Sequence, residues 1–244
     1  MKVYGLVGKN IDYSFSKKYF TERFENTNAI DCEYRNFDIA TIDDFCALTK
    51  NNPDIAGLNV TIPYKESVIP FLDSLSKKAA AIGAVNVIRF KKNGHLKGYN
   101  SDYFGFKKAI KPLLQPHHKK ALILGTGGSS KAVAFALSEL DISYTFVSRD
   151  PAKSAVTYDR INETTFENFQ IIINCTPLGT TPNISEFPPI PFQYLTKRHI
   201  AFDLIYNPVE STFLKKARLK GVTTINGLNM LVYQAEKAWK IWNK

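Results

Sequence analysis

The 244 residues, 44% hydrophobic and 13% aromatic, hold apolar material for one large domain or two modest ones. With 22% charged residues the composition excludes global disorder, and no apolar run approaches the length of a membrane span. The net charge of +10 raises the question of nucleic acid, but the lysine pairs are scattered, with no dense basic run and no recognisable motif, so a solvated Lys-rich surface or attraction of small anions is expected instead.

Short apolar runs alternate with helical patterns, the signature of α/β architecture. Lys2–Val7 reads as a strand and Ser16–Asn26 as a helix with Ser16 at its N-cap. Glu33–Asp38 is a second strand and Ile42–Lys50 a helix behind Thr41. Ile55–Ile62 is a third strand, and Pro63 after it stands as a helix-opening proline. Val85–Phe90 and Leu96–Tyr99 flank Lys91-Lys92-Asn93-Gly94, a hairpin signal. Together these form one α/β unit of about a hundred residues.

A helix near Asp102–Leu114 opens a second unit, and a loop through His117-His118 follows it. Next come a buried strand at Ala121–Leu124, a Gly-rich turn and a helix to about Leu140. Tyr144–Val147, Ile171–Asn174 and Ile200–Asp203 are further strands, making half or more of a Rossmann-type sheet. About twenty residues separate Asp150 from Ile171, so the crossover helix is predicted to be shortened or missing. Asn229–Trp242 reads as an amphipathic helix.

Cys32, Cys46 and Cys175 are odd in number, far apart and without a CxxC pair, which fits a reduced intracellular protein with each cysteine a small buried residue. The start of the chain has no long apolar segment and no small-residue cleavage site, so no signal peptide is read. The histidines lack metal-ligand spacing, and no metal is expected. These features predict a cytoplasmic protein with no nucleic-acid or membrane partner.

The turn Gly125-Thr126-Gly127-Gly128-Ser129-Ser130 lies between a predicted strand and a predicted helix. In that context Gly125 permits a tight turn and Gly127 lets the backbone approach a pyrophosphate, which the helix N-terminus beyond would receive. The third position is Ser130 rather than glycine. The alternative is a merely tight turn. About twenty residues on, the next strand ends at Ser148-Arg149-Asp150. An arginine there suits a ribose 2′-phosphate and an acidic residue the free 2′-hydroxyl of NAD. Arg149 could equally stack on adenine or stay solvated. Lys153 adds a second cation, which tips the reading towards NADP, with NAD the alternative. Asn174-Cys175-Thr176 and Asp203 to Pro208 leave strand carboxyl ends, where such sheets bind ligands, though each alone is ordinary loop chemistry.

In the first unit Ser14 and Ser16 precede a helix, where two hydroxyls suit a carboxylate or simply cap the helix. Asn59 and Thr61 alternate and so share a face, and Lys65 follows one turn into the expected helix. Asn86, Ser101 and Asp102 lie at two further element ends. Such groups could converge on a polyhydroxylated ligand.

Taken in order, these segments resemble the shikimate dehydrogenase family, which includes shikimate/quinate dehydrogenases. The likeness rests on Ser-x-Ser, NVTxPxK, GAxN, Asn-Ser-Asp, the nucleotide turn, NxTPxG, DxxYxP and the late run from Gly227 and Met230 to Gln234, from Gly5 nearly to the end of the chain. It implies an N-terminal α/β substrate domain (1–101 plus 226–244), a Rossmann-type nucleotide domain (102–225) and a C-terminal helix returning to the first. It implies reversible reduction of 3-dehydroshikimate to shikimate with NADPH, by a monomer or homodimer. By match to motif, Ser14 and Ser16 hold the ring carboxylate, and Thr61, Asn86 and Gln234 join Lys65 and Asp102, the catalytic pair, around the ring hydroxyls. Tyr206 and Gly227 lie near nicotinamide and substrate. Gly125, Thr126, Gly127, Gly128, Ser129, Ser148, Arg149, Lys153 and Thr176 would line the cofactor. The chain departs from the pattern in Ser101, where Thr is usual, and in Ser148-Arg149-Asp150, where Asn-Arg-Thr is usual. An NAD-using quinate/shikimate enzyme and a non-catalytic nucleotide-binding module are the alternatives.

Overall fold

The apolar run opening the chain forms strand β1 (Lys2–Gly8), buried over nearly its whole length as a central parallel strand must be. It is followed by helix α1 (Phe15–Asn26), β2 (Cys32–Asp38), helix α2 (Asp44–Asn51) and β3 (Ile55–Val60). The structure, a computed structural model, describes every residue except Asp12, Tyr13, Asn28, Ile30 and Ala155. β2 and β3 flank β1, and both run parallel to it. The short β4 (Ser74–Leu75), helix α3 (Lys77–Ile82) and the hairpin β5 (Val87–Phe90) and β6 (Leu96–Tyr99) complete a mixed sheet of order β2-β1-β3-β5-β6-β4. Gly94, at φ +78°, turns the hairpin.

Strand alternation gives this sheet two apolar faces. Val3, Leu58 and Val60 pack with Phe45 of α2 on one, while Tyr4, Leu6 and Tyr34 pack with Phe20 and Phe24 of α1 on the other. Two expectations fail here. Ser14, not Ser16, is the N-cap of α1: its hydroxyl accepts the Ser16 N–H at 3.2 Å. Pro63 opens no helix. The Ile62–Pro63 peptide is cis, and the segment that follows is a series of turns, with Tyr64 N–H bonded to Thr61 O and Val68 N–H to Tyr64 O.

The second unit begins with helix α4 (Asp102–Ile110). Strand β7 (Lys120–Leu124), helix α5 (Gly128–Ser138), β8 (Ser143–Val147), helix α6 (Glu163–Asn168), β9 (Ile171–Asn174), β10 (Ile200–Asp203), helix α7 (Thr212–Arg218), β11 (Thr223–Ile225) and helix α8 (Leu228–Trp242) follow. The strands form a parallel sheet of order β11-β10-β9-β7-β8. Every residue of β9 and β10 is buried, as in a sheet covered on both faces. Chain order reverses between β7 and β9, which makes the space beyond their carboxyl ends a topological switch point. Between β8 and β9, α6 spans only six residues, and Val156 makes an isolated parallel bridge to Val147.

The chain divides into two compact units, Met1–Ser101 with Ala235–Lys244, and Asp102–Gln234. This division puts residues 226–234, read with the first domain from the sequence, into the second. The reason lies on α4. Gly105 lets the backbone of Met230 and Gln234 come close, and the Lys108 ammonium sits 4.0 Å over the Tyr233 ring. The later half of α8 belongs to the first unit. There Trp239 and Trp242 pack against Tyr4, the Trp242 indole donates to Ile88 O at 3.1 Å, and Glu236 takes hydrogen bonds from Tyr19 and Arg23 of α1.

The cysteines depart from expectation. Cys46 is exposed on α2, whose core-facing residue is its neighbour Phe45, and Cys32 and Cys175 are half-buried. His118 is not a bystander in a linker either: it is buried, accepts the Gln115 N–H on Nδ1 at 2.8 Å, and meets Arg198 O through Nε2. Among the described residues no helix is long and apolar enough to cross a membrane.

Candidate active site

In the first unit the predicted residues leave the carboxyl ends of β1 and β3 and the start of β5, the end of an α/β sheet that ordinarily meets ligands. Ser14 and Ser16, both half-buried, open α1. Because the Ser14 oxygen accepts the Ser16 N–H, its own proton remains to donate elsewhere. Thr61 follows β3, its N–H on Val7 O at 2.9 Å. Lys65 stands half-buried in the turn segment, and its carbonyl accepts the Val85 N–H at 2.7 Å, which ties that segment to the approach to β5.

Asn86 is buried and fixed on all sides. Its N–H reaches Tyr99 O, its carbonyl accepts Val60 N–H, its Oδ1 accepts Ser101 N–H at 2.6 Å, and its Nδ2 donates to Ser101 Oγ at 3.0 Å. Asn59 donates to the same Asn86 carbonyl at 3.2 Å and accepts the Tyr34 hydroxyl at 2.8 Å. Ser101 is therefore clamped immediately before Asp102, which begins α4 and is itself buried. The structure thus links Asn59, Asn86 and Ser101 through buried polar bonds. Tyr34, which completes that chain, escapes the sequence reading, since nothing local in β2 distinguishes it from a core aromatic.

In the second unit the nucleotide turn has the form the sequence predicts. Gly125, at φ +103°, takes a conformation that a side chain would strain, and a Cβ there would lie 3.1 Å from Thr176 Cγ2. Gly127 is the extended N-cap of α5, with no atom within 4 Å of where a Cβ would sit. Any side chain at 127 would enter that open space, which is what close approach of a phosphate to backbone requires. Thr126 precedes it, and Gly128 and Ser129 begin the helix, which has no side-chain cap. Ser130, at the third position, is buried and donates to Gly127 O at 2.6 Å. These residues fit a dinucleotide pyrophosphate.

Across the switch point, Asn174 and Asp203 brace the ends of β9 and β10. Asn174 Nδ2 donates to Asp203 Oδ1 at 3.0 Å, and its Oδ1 takes the N–H and hydroxyl of Thr176, the latter at 2.7 Å, which sets Thr176 beside Gly125. Asp203 is fully buried, and desolvation pushes its pKa up to about 6 against the downward pull of Ser211, the Ile205 N–H and Asn174. Tyr206, half-buried, follows that carboxylate. Gly227 serves packing as well as any ligand: its N–H bonds Ile205 O at 2.9 Å, and a Cβ there would overlap the Leu204 carbonyl. Gln234 is buried on α8 and donates to Leu231 O.

Beyond β8, Ser148 is buried and accepts the Asp150 N–H at 3.1 Å, while Arg149 is exposed. The Asp150 carboxylate serves its own turn, with Oδ1 accepting Ala152 N–H at 3.0 Å and Oδ2 facing Lys153 at 3.8 Å. The aspartate that would favour NAD thus also caps its own turn, and the lysine read as a second cation for NADP faces it from an exposed position. A separate cavity of about 250 Å³, lined by Glu163, Phe166, Tyr194, Arg198 and His199, lies at the amino ends of β9 and β10, away from these residues. Among the described residues no three His, Cys, Asp or Glu side chains gather as a metal site would.

Residues 6–88 match the family model of the shikimate dehydrogenase substrate binding domain. A Clostridium botulinum protein named shikimate dehydrogenase (NADP(+)) is 38% identical over 98% of this chain and 95% of its own length. A Methanococcus maripaludis protein of the same name is 37% identical over 99% of this chain and 91% of its own. Among solved structures, shikimate 5-dehydrogenase from Thermus thermophilus, in complex with NADP(H) and shikimate, superposes with a TM-score of 0.87 at 28% identity, covering 99% of this chain and 93% of that one. Likeness of this extent, on a two-sheet α/β frame with an intact nucleotide turn, means that the chain belongs to the shikimate dehydrogenase family.

Proposed function

We propose that the chain catalyses the reversible NADPH-dependent reduction of 3-dehydroshikimate to shikimate, as an NADP-dependent oxidoreductase of chorismate and aromatic amino acid biosynthesis in the cytoplasm. The carrying observation is full-length identity of 38% to a protein named for that activity and cofactor. Bound nicotinamide supplies the hydride, and the protein's work is positioning and one proton. As the substrate carbonyl is reduced, its oxygen gains negative charge, which Lys65 stabilises and to which it delivers a proton. Asp102 accepts a hydrogen bond from the reacting hydroxyl and orients Lys65. Ser14 and Ser16 hold the ring carboxylate, and Thr61, Asn86 and Gln234 hold the hydroxyls. Tyr206 and Gly227 border nicotinamide and substrate. The substrates are small molecules, handled by a monomer or homodimer.

Asp150 favours a second reading, an NAD-using enzyme that also accepts quinate. The experiment follows reduced-nicotinamide absorbance with purified protein and shikimate or quinate, each with NADP or NAD. Rapid turnover of NADP with shikimate is expected. Rapid turnover only with NAD would reverse the cofactor assignment, and silence from folded protein in every cuvette would overturn the activity.

A further inference from the structure

The connection from β1 to α1 carries Ser14, and β2 holds its first residues in place. Asn10 takes a left-handed conformation, at φ +55°, which is uncommon for any residue but glycine and least costly for asparagine and aspartate. Next to this turn, two successive N–H groups meet one carboxylate: Asp38 Oδ1 accepts from Asn10 and Oδ2 from Ile11, each at 3.1 Å. The Asn36 amide, two residues back on the same face of β2, donates to Ile11 O at 3.1 Å. That carbonyl also accepts the Ser14 N–H at 3.0 Å.

The same stretch meets the end of β3. Lys9 N–H bonds Ile62 O at 3.3 Å, Ile11 is buried, and a Cβ on Gly8 would overlap the methyl groups of both Ile11 and Thr61. Ile11 and Thr61 therefore close on one point of β1. Asp38 itself is exposed, so no apolar burial accounts for it. A strained residue persists where its surroundings over-determine it, and such residues gather at functional sites.

We infer that Asp38 is a positioning residue for the substrate, its carboxylate holding Asn10 and Ile11 so that Ser14 stands at a fixed distance from Thr61 before the ligand arrives. Without that anchor the loop opens locally, and apparent affinity falls by the fraction of molecules that keep it in place. An amide at position 38 retains one acceptor oxygen and sets its NH2 against one of the two N–H groups.

The inference rests on the proposed role of Ser14, and the test separates the two. KM and kcat are compared for D38N, S14A and the double variant. D38N is expected to raise KM for shikimate about 10- to 100-fold, the effect of one charge-assisted hydrogen bond, with kcat and KM for NADP within about twofold of the parent. S14A raises the same KM, and the double variant falls well short of the product of the two effects. An effect of S14A with none of D38N, or effects that multiply, overturns the positioning role while sparing the carboxylate site. A D38N variant that loses affinity for NADP as much as for shikimate overturns it too, because the carboxylate would then serve the fold at large. No effect of S14A overturns both readings. Should D38N fail to fold, amide hydrogen exchange in the parent chain gives the answer. The Asn10 and Ile11 N–H groups exchange more slowly with shikimate bound and unchanged with NADP alone; exchange indifferent to shikimate overturns the inference.

Discussion

Lys65 sits in a segment held by turns at both ends, tied through its carbonyl to Val85, so its placement does not depend on a helix. Lys65→Ala is expected to lower kcat by roughly 10²–10⁴, the usual range for lost acid–base help, with a smaller change in KM for shikimate. A near-normal kcat in steady-state assays would remove Lys65 from the chemistry. Arg149 is exposed beside a carboxylate already engaged in its own turn. Arg149→Ala should therefore reduce kcat/KM for NADP by about 10- to 100-fold, the value of a charge-assisted contact, while NAD turnover stays within about twofold. An equal loss with both cofactors would mean that Arg149 does not read the 2′-phosphate. At this scale the sequence reveals residues that stand within motifs and hides those that act from another strand. Ser14, Lys65 and Asn86 announce themselves by neighbours in the chain. Tyr34 reaches Asn59 only after β1 has been laid between them, and the partnership of Asn174 with Asp203 joins residues 29 apart.

Elements show the same division. β9 and β10 have in the structure the bounds read from their apolar runs, because a strand buried on both faces reads as a near-continuous apolar run, here closed by the paired Asn174 and Asp203. The helix expected after Pro63 is absent, and α3 and α7 go unread in the sequence although Ser76 and Ser211 cap them; both helices are short and lysine-rich, and periodicity is weak over six or seven residues. Where elements meet, glycine sets the distance. Gly227→Ala would drive a methyl into the Leu204 carbonyl, which is backbone and cannot rotate away. A loss of about 1–3 kcal/mol is expected, together with reduced kcat, measured by urea titration and steady-state kinetics. Trp242 lies over Gly57, against Tyr4 and Phe20. Trp242→Ala should cost about 3–5 kcal/mol of stability, and a loss below about 1 kcal/mol would mean that α8 is not a wall of that core.

For the whole molecule, two buried groups set opposing responses to acid. Asp203, pushed up to about 6, binds its proton more tightly in the folded chain. Its contribution, about 3 kcal/mol, is full below roughly pH 3.9 and is lost as pH rises through 6. His118 is pushed down, first by burial and then by His117 and His199, against the Arg198 carbonyl. Its contribution is present above roughly pH 6.5 and is lost as pH falls towards the lowered folded value. Asp203→Asn should therefore be more acid-sensitive than the parent and His118→Gln less so, in urea midpoints compared at about pH 7.5 and 5.5. Unchanged sensitivity in either variant would show that its group does not titrate in that window.

The division of α8 between the two units also has a temporal meaning. Asp102–Gln234 is one unbroken stretch, whereas the layer of Tyr4, Phe20 and Phe24 is closed by Ala238, Ile241 and Trp242. On the ribosome the first sheet is made early, yet one wall of its core is translated only after the entire second unit. At about 5–20 residues per second that interval is on the order of ten seconds. The nascent chain thus finishes its units in the reverse of the order in which it begins them, and throughout the delay it presents an uncovered aromatic face to the chaperones that screen newly made proteins.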